Sequence, residues 1–156
     1  MVENIEDRLA SLKIELPPAP PPVASYVPVR IVGDLAHLSG QIAMVDGEPI
    51  HRGRVGGDVS LEQGQEAARR CVLQALAALR DVAGSLDRVE AIVQLSVFVA
   101  SEDGFNDQPK VANGASDLLV EIFGDAGRHA RVAVGVGELP LGAPVEVGMV
   151  VHLMPR

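Results

Sequence analysis

Aromatic side chains are scarce in this chain of 156 residues: there is no Trp, one Tyr and three Phe, 3 % in all. Single-stranded nucleic acids are held by aromatic stacking and by a positive field around the phosphates. The field is missing as well, because 21 acidic side chains face 13 basic ones for a formal charge of −8. No nucleic-acid partner is expected; a small ligand or a protein partner is. Cys71 is the only cysteine, which excludes an intramolecular disulfide framework and a thiolate metal cluster and makes the cytoplasm the default compartment. No apolar run approaches the roughly 20 residues that a membrane span needs. The opening MVENIEDRLA lacks the basic start and apolar core of a signal peptide, so a soluble, unprocessed protein with no membrane partner is expected.

What is abundant is aliphatic. Apolar residues make up 47 % of the chain, enough for one compact domain whose core is packed from Val, Leu, Ile and Ala. Val2, Ile5, Leu9 and Leu12 draw a stripe on a short opening helix, which LPPAPPP at 16–22 stops, since proline lacks the amide donor and restricts its predecessor. Residues 1–22 therefore read as an accessory helix and Pro-rich connector, and 23–156 as a single α/β domain. A hairpin is expected from YVPVRIV and LAHLSGQIA around Gly33-Asp34, then a surface loop, DGEPIHRGRVGGD, with one short strand.

Residues 60–83 carry the clearest helical pattern. Ser60 and Gln63 form a capping-box pair, Ala68, Val72, Ala75, Leu76, Leu79 and Val82 share a face, and Gly84 is placed to end the last turn. RVEAIVQLSVFVA suits an interior strand. A second helix begins near Pro109, buries Val111, Ala115, Leu118, Leu119 and Ile122, and stops at Gly124. ARVAVGVGEL and PVEVGMVVHLM, separated by LPLGA, read as a closing hairpin. The order β-β-α-β-α-β-β gives an α+β fold, a mixed β-sheet with two helices packed on one face. In the last two strands Ala130, Val132, Val134 and Val136 oppose Arg131, Ala133, Gly135 and Gly137, and Val145, Val147, Met149, Val151 and Leu153 oppose Glu146, Gly148, Val150 and His152. The helices are expected on the larger aliphatic side, with the small-residue side meeting another subunit or a ligand.

Arg131 stands out as a guanidinium in an apolar strand, able to grip a carboxylate bidentately; the alternative is a structural arginine paired with Glu146 or an interface carboxylate. In a tight hairpin Glu146 would face residue 135 or 136, leaving Arg131 roughly 13 Å away. Ser39 and Gly40, in LSGQ, either let a ligand reach a backbone amide or mark a bulge. Tyr26 lends a hydroxyl to a site or anchors the first strand, and Asn113 is a solvated helix residue or a ligand contact. His37, His51, His129 and His152 show no metal-ligand spacing, so no metal is expected, and Cys71 reads as a small core residue.

The run NGASDLLVEIFGDAGRHARVAVGVGELPLGAPVEVGMVV, with LSGQ upstream after a Tyr-containing strand, resembles the reactive-intermediate deaminase family, also called RidA or YjgF-like, from about Tyr26 to the C-terminus. The resemblance implies a chorismate-mutase-like fold assembled as a homotrimer around a central β-barrel, with sites between subunits. It places the family's carboxylate-binding arginine on Arg131, its acidic residue on Glu146, its Ser-Gly pair on Ser39 and Gly40, and its tyrosine on Tyr26. Asn113 is the candidate for its helix asparagine, although a gapless alignment puts Ser116 there. A family cysteine two residues past the arginine is Ala133 here, and the segment before Arg131 is shorter. With the opening helix and connector, these features resemble a long-form branch. The implied activity is cofactor-free hydrolysis of enamines and imines such as 2-aminoacrylate and 2-iminopropionate to 2-keto acids and ammonia. Arg131 would clamp the carboxylate with the Gly40 amide assisting, Glu146 would handle the water and Tyr26 would close the pocket. The alternative is a non-catalytic sensor of small carboxylates or an interaction protein; ribonuclease activity is disfavoured by the charge.

Overall fold

The computed structural model describes residues 3–156. Along the chain lie α1 (Ile5–Ser11), β1 (Val29–Val32), β2 (Leu35–Ile42), β3 (Met44–Val45), β4 (Glu48–Pro49), α2 (Leu61–Ala83), β5 (Val89–Ala100), α3 (Gln108–Phe123), β6 (Ala130–Val136) and β7 (Val145–Leu153). Local signals account for most of these boundaries. Ser60 Oγ accepts from Gln63 N at 3.1 Å while Gln63 Oε1 accepts from Ser60 N at 2.9 Å, closing both ends of the expected capping box. Gly84 ends α2 in the left-handed region, and Gly124 ends α3. Where one short strand was expected in the surface loop, β3 and β4 pair as a two-residue hairpin around Asp46 and Gly47.

The main sheet runs β1-β2-β7-β5-β6, and only the β5–β6 pair is parallel. The closing hairpin read from the sequence does not form. A parallel strand needs a crossover, which α3 supplies between β5 and β6. Residues 137–144 then carry the chain past β5, so that β7 enters between β2 and β5 and β6 is left at the edge.

Both helices lie on one face of this sheet, with α2 and α3 packed on each other. Burial alternates along β7, and Val145, Val147, Met149, Val151 and Leu153 face the helices as expected. Along β6 the expected faces are reversed. Val132 and Val134 are 46 % and 45 % exposed, while Ala133 packs against the core. The reason is space, because a Cβ on Gly135 would stand 2.8 Å from Gln108 Nε2 and 3.1 Å from Ser101 Oγ, so the small side must lie under the start of α3. Val82 also departs from its expected place and is exposed at the wet end of α2.

The core between helices and sheet is aliphatic, as the composition requires, with Cys71, Val72, Leu76, Leu79, Leu95, Leu118 and Leu119 fully buried. Burying each of the leucines contributes roughly 1.5–3 kcal/mol. The opening helix is part of this core rather than an appendage. Leu9 and Ile14 are buried within it, Arg8 donates two hydrogen bonds to the Glu121 carbonyl, and Ile5 N donates to Asp87 Oδ1 at 2.6 Å. Val2, the first residue of the expected stripe, lies outside the described residues. Among the described residues, no helix is long and apolar enough to cross a membrane.

The two long helices approach closely at Gly114 of α3, where a Cβ would overlap the Gln65 carbonyl of α2. Gly114→Ala gains helix propensity of up to about 1 kcal/mol, but backbone cannot yield as a flexible side chain does, and overpacking costs about 1–3 kcal/mol. The variant is expected to be less stable by about 1–2 kcal/mol in urea denaturation; an unchanged or raised midpoint would show that α3 can shift without loss.

Candidate functional site

Arg131 pairs with Leu95 across β5–β6, so its side chain leaves the sheet on the helix face. There its Nη1 donates to Asn113 Oδ1 at 2.9 Å and to Ser116 Oγ at 3.1 Å. Asn113 and Ser116 are three residues apart on α3 and therefore share a face. The two residues that competed for one role in the sequence both flank the guanidinium. Both partners are neutral oxygens, and among the described residues no carboxylate stands within salt-bridge distance of Arg131. The alternative of an Arg131–Glu146 pair within one chain is not realised. Ser116, Asp117, Arg128, His129 and Arg131 line an open depression of about 280 Å³ beside the edge strand.

Glu146 lies elsewhere. On β7 it pairs with Ile42 of β2 and Phe98 of β5, not with residue 135 or 136, and its side chain is on the helix-free face. Arg131 and Glu146 thus sit on opposite faces, three residues apart in β5 register, or about 10 Å along the strand. Half-burial raises the Glu146 carboxyl above its ordinary value, because desolvation disfavours the charged form.

Gly40 is Glu146's neighbour. The β2–β7 register breaks between Leu38 and Gln41, so Ser39 and Gly40 form the bulge that the sequence allowed, and a Cβ on Gly40 would stand 2.5 Å from Glu146 Oε1. Ser39 is tied locally, its hydroxyl donating to the Val27 carbonyl at 2.6 Å and its amide to Pro28 O at 2.8 Å. Tyr26 is 55 % exposed at the rim of a groove of about 430 Å³ that also touches Gly40, Ile42, Arg70 and prolines 17, 18, 20 and 21. One chain therefore presents two separate clusters: Arg131 with Asn113 and Ser116, and Glu146 with Gly40 near Tyr26.

Two participants escaped the sequence reading. His129 accepts or donates at Ser116 Oγ, 2.9 Å from its Nε2, and its Nδ1 is 2.7 Å from the Gly127 carbonyl. The signal was its position two residues before Arg131, the spacing that returns to the same face of an extended chain. Gln74, nearly buried on α2, accepts from Met44 N at 2.7 Å and donates to Ile42 O at 2.8 Å and Gln41 Oε1 at 3.2 Å, pinning the strand end beyond the bulge. A glutamine between the buried Cys71 and Ala75 was its trace. Among the described residues no group of His, Cys, Asp and Glu is arranged to hold a metal. Burial pushes the Cys71 thiol far up, and the thiol, packed in the core, donates to the Val145 carbonyl at 3.7 Å, so it lacks the thiolate a nucleophile needs.

The family model described as "YjgF/chorismate_mutase-like, putative endoribonuclease" matches residues 6–153. The chain belongs to that family. Its matched span includes most of α1, in keeping with the packing of that helix. "Protein TCP17" of Trypanosoma cruzi is 45 % identical over 151 residues, 96 % of this chain and 94 % of the relative. A solved structure from Shewanella oneidensis, described as a "putative endoribonuclease", superposes with a TM-score of 0.92 at 34 % identity, covering 97 % of this chain and 100 % of that one. A 2-iminobutanoate/2-iminopropanoate deaminase of Dermatophagoides farinae is 28 % identical over 138 residues, 88 % of this chain and 93 % of its own.

The raised carboxyl of Glu146 fixes a sign. A group that holds its proton more tightly when folded stabilises the protein below its unfolded value, and that contribution is lost as pH rises through the folded value. Glu146→Gln is therefore expected to melt with the parent near pH 4 and above it near pH 7, the gap opening between these limits. A constant offset across the range would mean that desolvation of the carboxylate is not what burial at this position costs.

Proposed function

We propose that the protein is an imine and enamine hydrolase that converts small 2-imino or 2-enamino acids to 2-keto acids and ammonia in clefts between the subunits of a homotrimer. The observation that carries this reading is the state of Arg131. It is positioned by neutral oxygens without a counter-carboxylate, so its charge is left for an anion from outside, and charge-assisted bonds of this kind contribute roughly 1.5–3 kcal/mol. The deaminase name of the Dermatophagoides farinae relative supports the same chemistry.

In this reading Arg131 holds the carboxylate, the Gly40 amide assists, and C2 is fixed beside a water. An enamine first takes a proton at C3 and loses one from nitrogen to become the imine. Water then adds to C2 as Glu146 takes one of its protons and passes it to the nitrogen, giving the carbinolamine. The carbinolamine's hydroxyl proton follows the same route to nitrogen as the C2–N bond breaks, releasing ammonia and the keto acid. Tyr26 closes the pocket over the nitrogen. No electrons leave the substrate, so no redox group is required. Arg131 and Glu146 lie too far apart within one chain to share a small substrate, and the exposed Val132 and Val134 on the helix-free face supply apolar surface for burial against neighbouring copies around a central barrel. The ligand class is a small carboxylate rather than RNA, in line with a charge of −8 and four aromatic side chains.

The test generates 2-aminoacrylate with a serine or threonine dehydratase and traps the surviving imine with semicarbazide. Wild-type protein is expected to lower the trapped fraction, and Arg131→Ala to lose about tenfold or more of that effect, the size of one charge-assisted bond. An unchanged trapped fraction with wild type ends the hydrolase reading, leaving the sensor if pyruvate still binds through Arg131.

Co-expression tests the shared site. Arg131→Ala and Glu146→Gln homotrimers are each expected to keep about a tenth of the activity or less, while random mixing restores about a quarter of the sites to full activity if each cleft draws on two adjacent chains. No recovery would put both groups to work within one chain.

A further inference from the structure

The polar contacts around Arg131 continue past Ser116. Gly127 O can only accept, so the Nδ1 of His129, at 2.7 Å, must carry the proton. In the neutral ring Nε2 is then an acceptor. Arg131 Nη1 can only donate, so Ser116 Oγ accepts from it at 3.1 Å and is free to give its own hydrogen to Nε2 at 2.9 Å. Every donor in the chain Arg131 to Ser116 to His129 to Gly127 meets an acceptor in one direction only. Arg131 lies on β6, Ser116 on α3, Gly127 at the end of the 3-10 turn Gly124–Gly127, and His129 in the short link between that turn and β6.

We propose that His129 is a positioning residue for carboxylate capture, orienting the Ser116 hydroxyl so that its oxygen holds the Arg131 guanidinium while the ring is neutral. Protonation reverses the second link. Nε2 then donates to Ser116 Oγ, the hydroxyl hydrogen is released towards the depression beside Arg131, and a second positive charge stands there. Carboxylate affinity therefore rises as the ring takes up a proton. Three other charged side chains line the depression: Asp117 from α3, Arg128 from the turn before β6, itself 3.4 Å from Asp125, and Arg131. Of the side-chain types that line the depression, imidazole is the one suited to switching charge near neutral pH. The inference rests on the reading of Arg131 as the carboxylate site.

The probe is pyruvate, a 2-keto acid that stays ionised throughout, titrated calorimetrically into the wild-type protein and variants between pH 5.5 and 8.5. Wild type is expected to bind several-fold more tightly at the acid end. His129→Gln keeps an acceptor within reach of Ser116 but cannot titrate; it is expected to bind within about twofold of wild type at pH 8 and to show no acid step. His129→Phe, without the acceptor, is expected to bind about fivefold more weakly at pH 8.

A wild-type affinity that does not change with pH, or an acid step that persists in His129→Gln, overturns the role of His129 while leaving Arg131 as the carboxylate site. Binding that survives Arg131→Ala unchanged, or no binding by wild type, instead removes the carboxylate site itself. Nitrogen NMR of the unmodified protein gives a measurement independent of any variant's folding: at pH 8 the His129 ring is expected as the Nδ1–H tautomer, and an Nε2–H tautomer contradicts the chain of donors.

Discussion

The sheet depends on where its last strand goes. β7 pairs with β2 on one side and β5 on the other, and it is the only pairing that joins the β1–β2 hairpin to the β5–β6 unit among the described residues. Its alternation suits that interior place: five apolar side chains lie under the helices, while Glu146, Gly148, Val150 and His152 stay partly exposed on the other face. Insertion of β7 beside β2 also brings Glu146 against the bulge at Gly40. The carboxylate occupies the space that a side chain there would need, and its partial desolvation follows.

Displacing β6 to the edge has the complementary effect. An edge strand packed under the start of α3 must present small residues to that helix, so Ala133 and Gly135 turn inward and Val132 and Val134 turn outward. Arg131 shares the inward parity and meets Asn113 and Ser116, whose position depends on the close approach of α3 to α2 at Gly114. Alternation in one strand thus separates an apolar outer surface from a polar inner grip. The same alternation in β7 places Glu146 on the outer side, which is why two chemically complementary residues do not meet within a chain.

Some of the candidate site was legible because it violated its surroundings. A guanidinium in a valine strand and a serine and glycine in LSGQ draw notice without any fold. His129 did not, because histidines invite a search for metal spacing, whereas its meaning lay in sharing the parity of Arg131. Gln74 was concealed by a helical stripe that remains amphipathic with a glutamine in it. Its role exists only because the end of β2 passes beneath α2.

Local order was determined by the sequence itself. The Ser60–Gln63 box, the Gly84 and Gly124 stops, the turn at Gly33-Asp34 and the period-two burial of β7 each rest on contacts within a few residues, so their signals survive in any fold that accepts them. Which strand β7 pairs with, which face of β6 meets the helices, and whether Leu9 and Ile14 join the core were decided by tertiary structure. These outcomes compare surfaces brought together from distant parts of the chain. A pattern such as Ala-Arg-Val-Ala-Val-Gly-Val shows that two faces differ but carries no record of which one has α3 above it. The space left by α3 over Gly135 made that choice, and with it the direction in which Arg131 points.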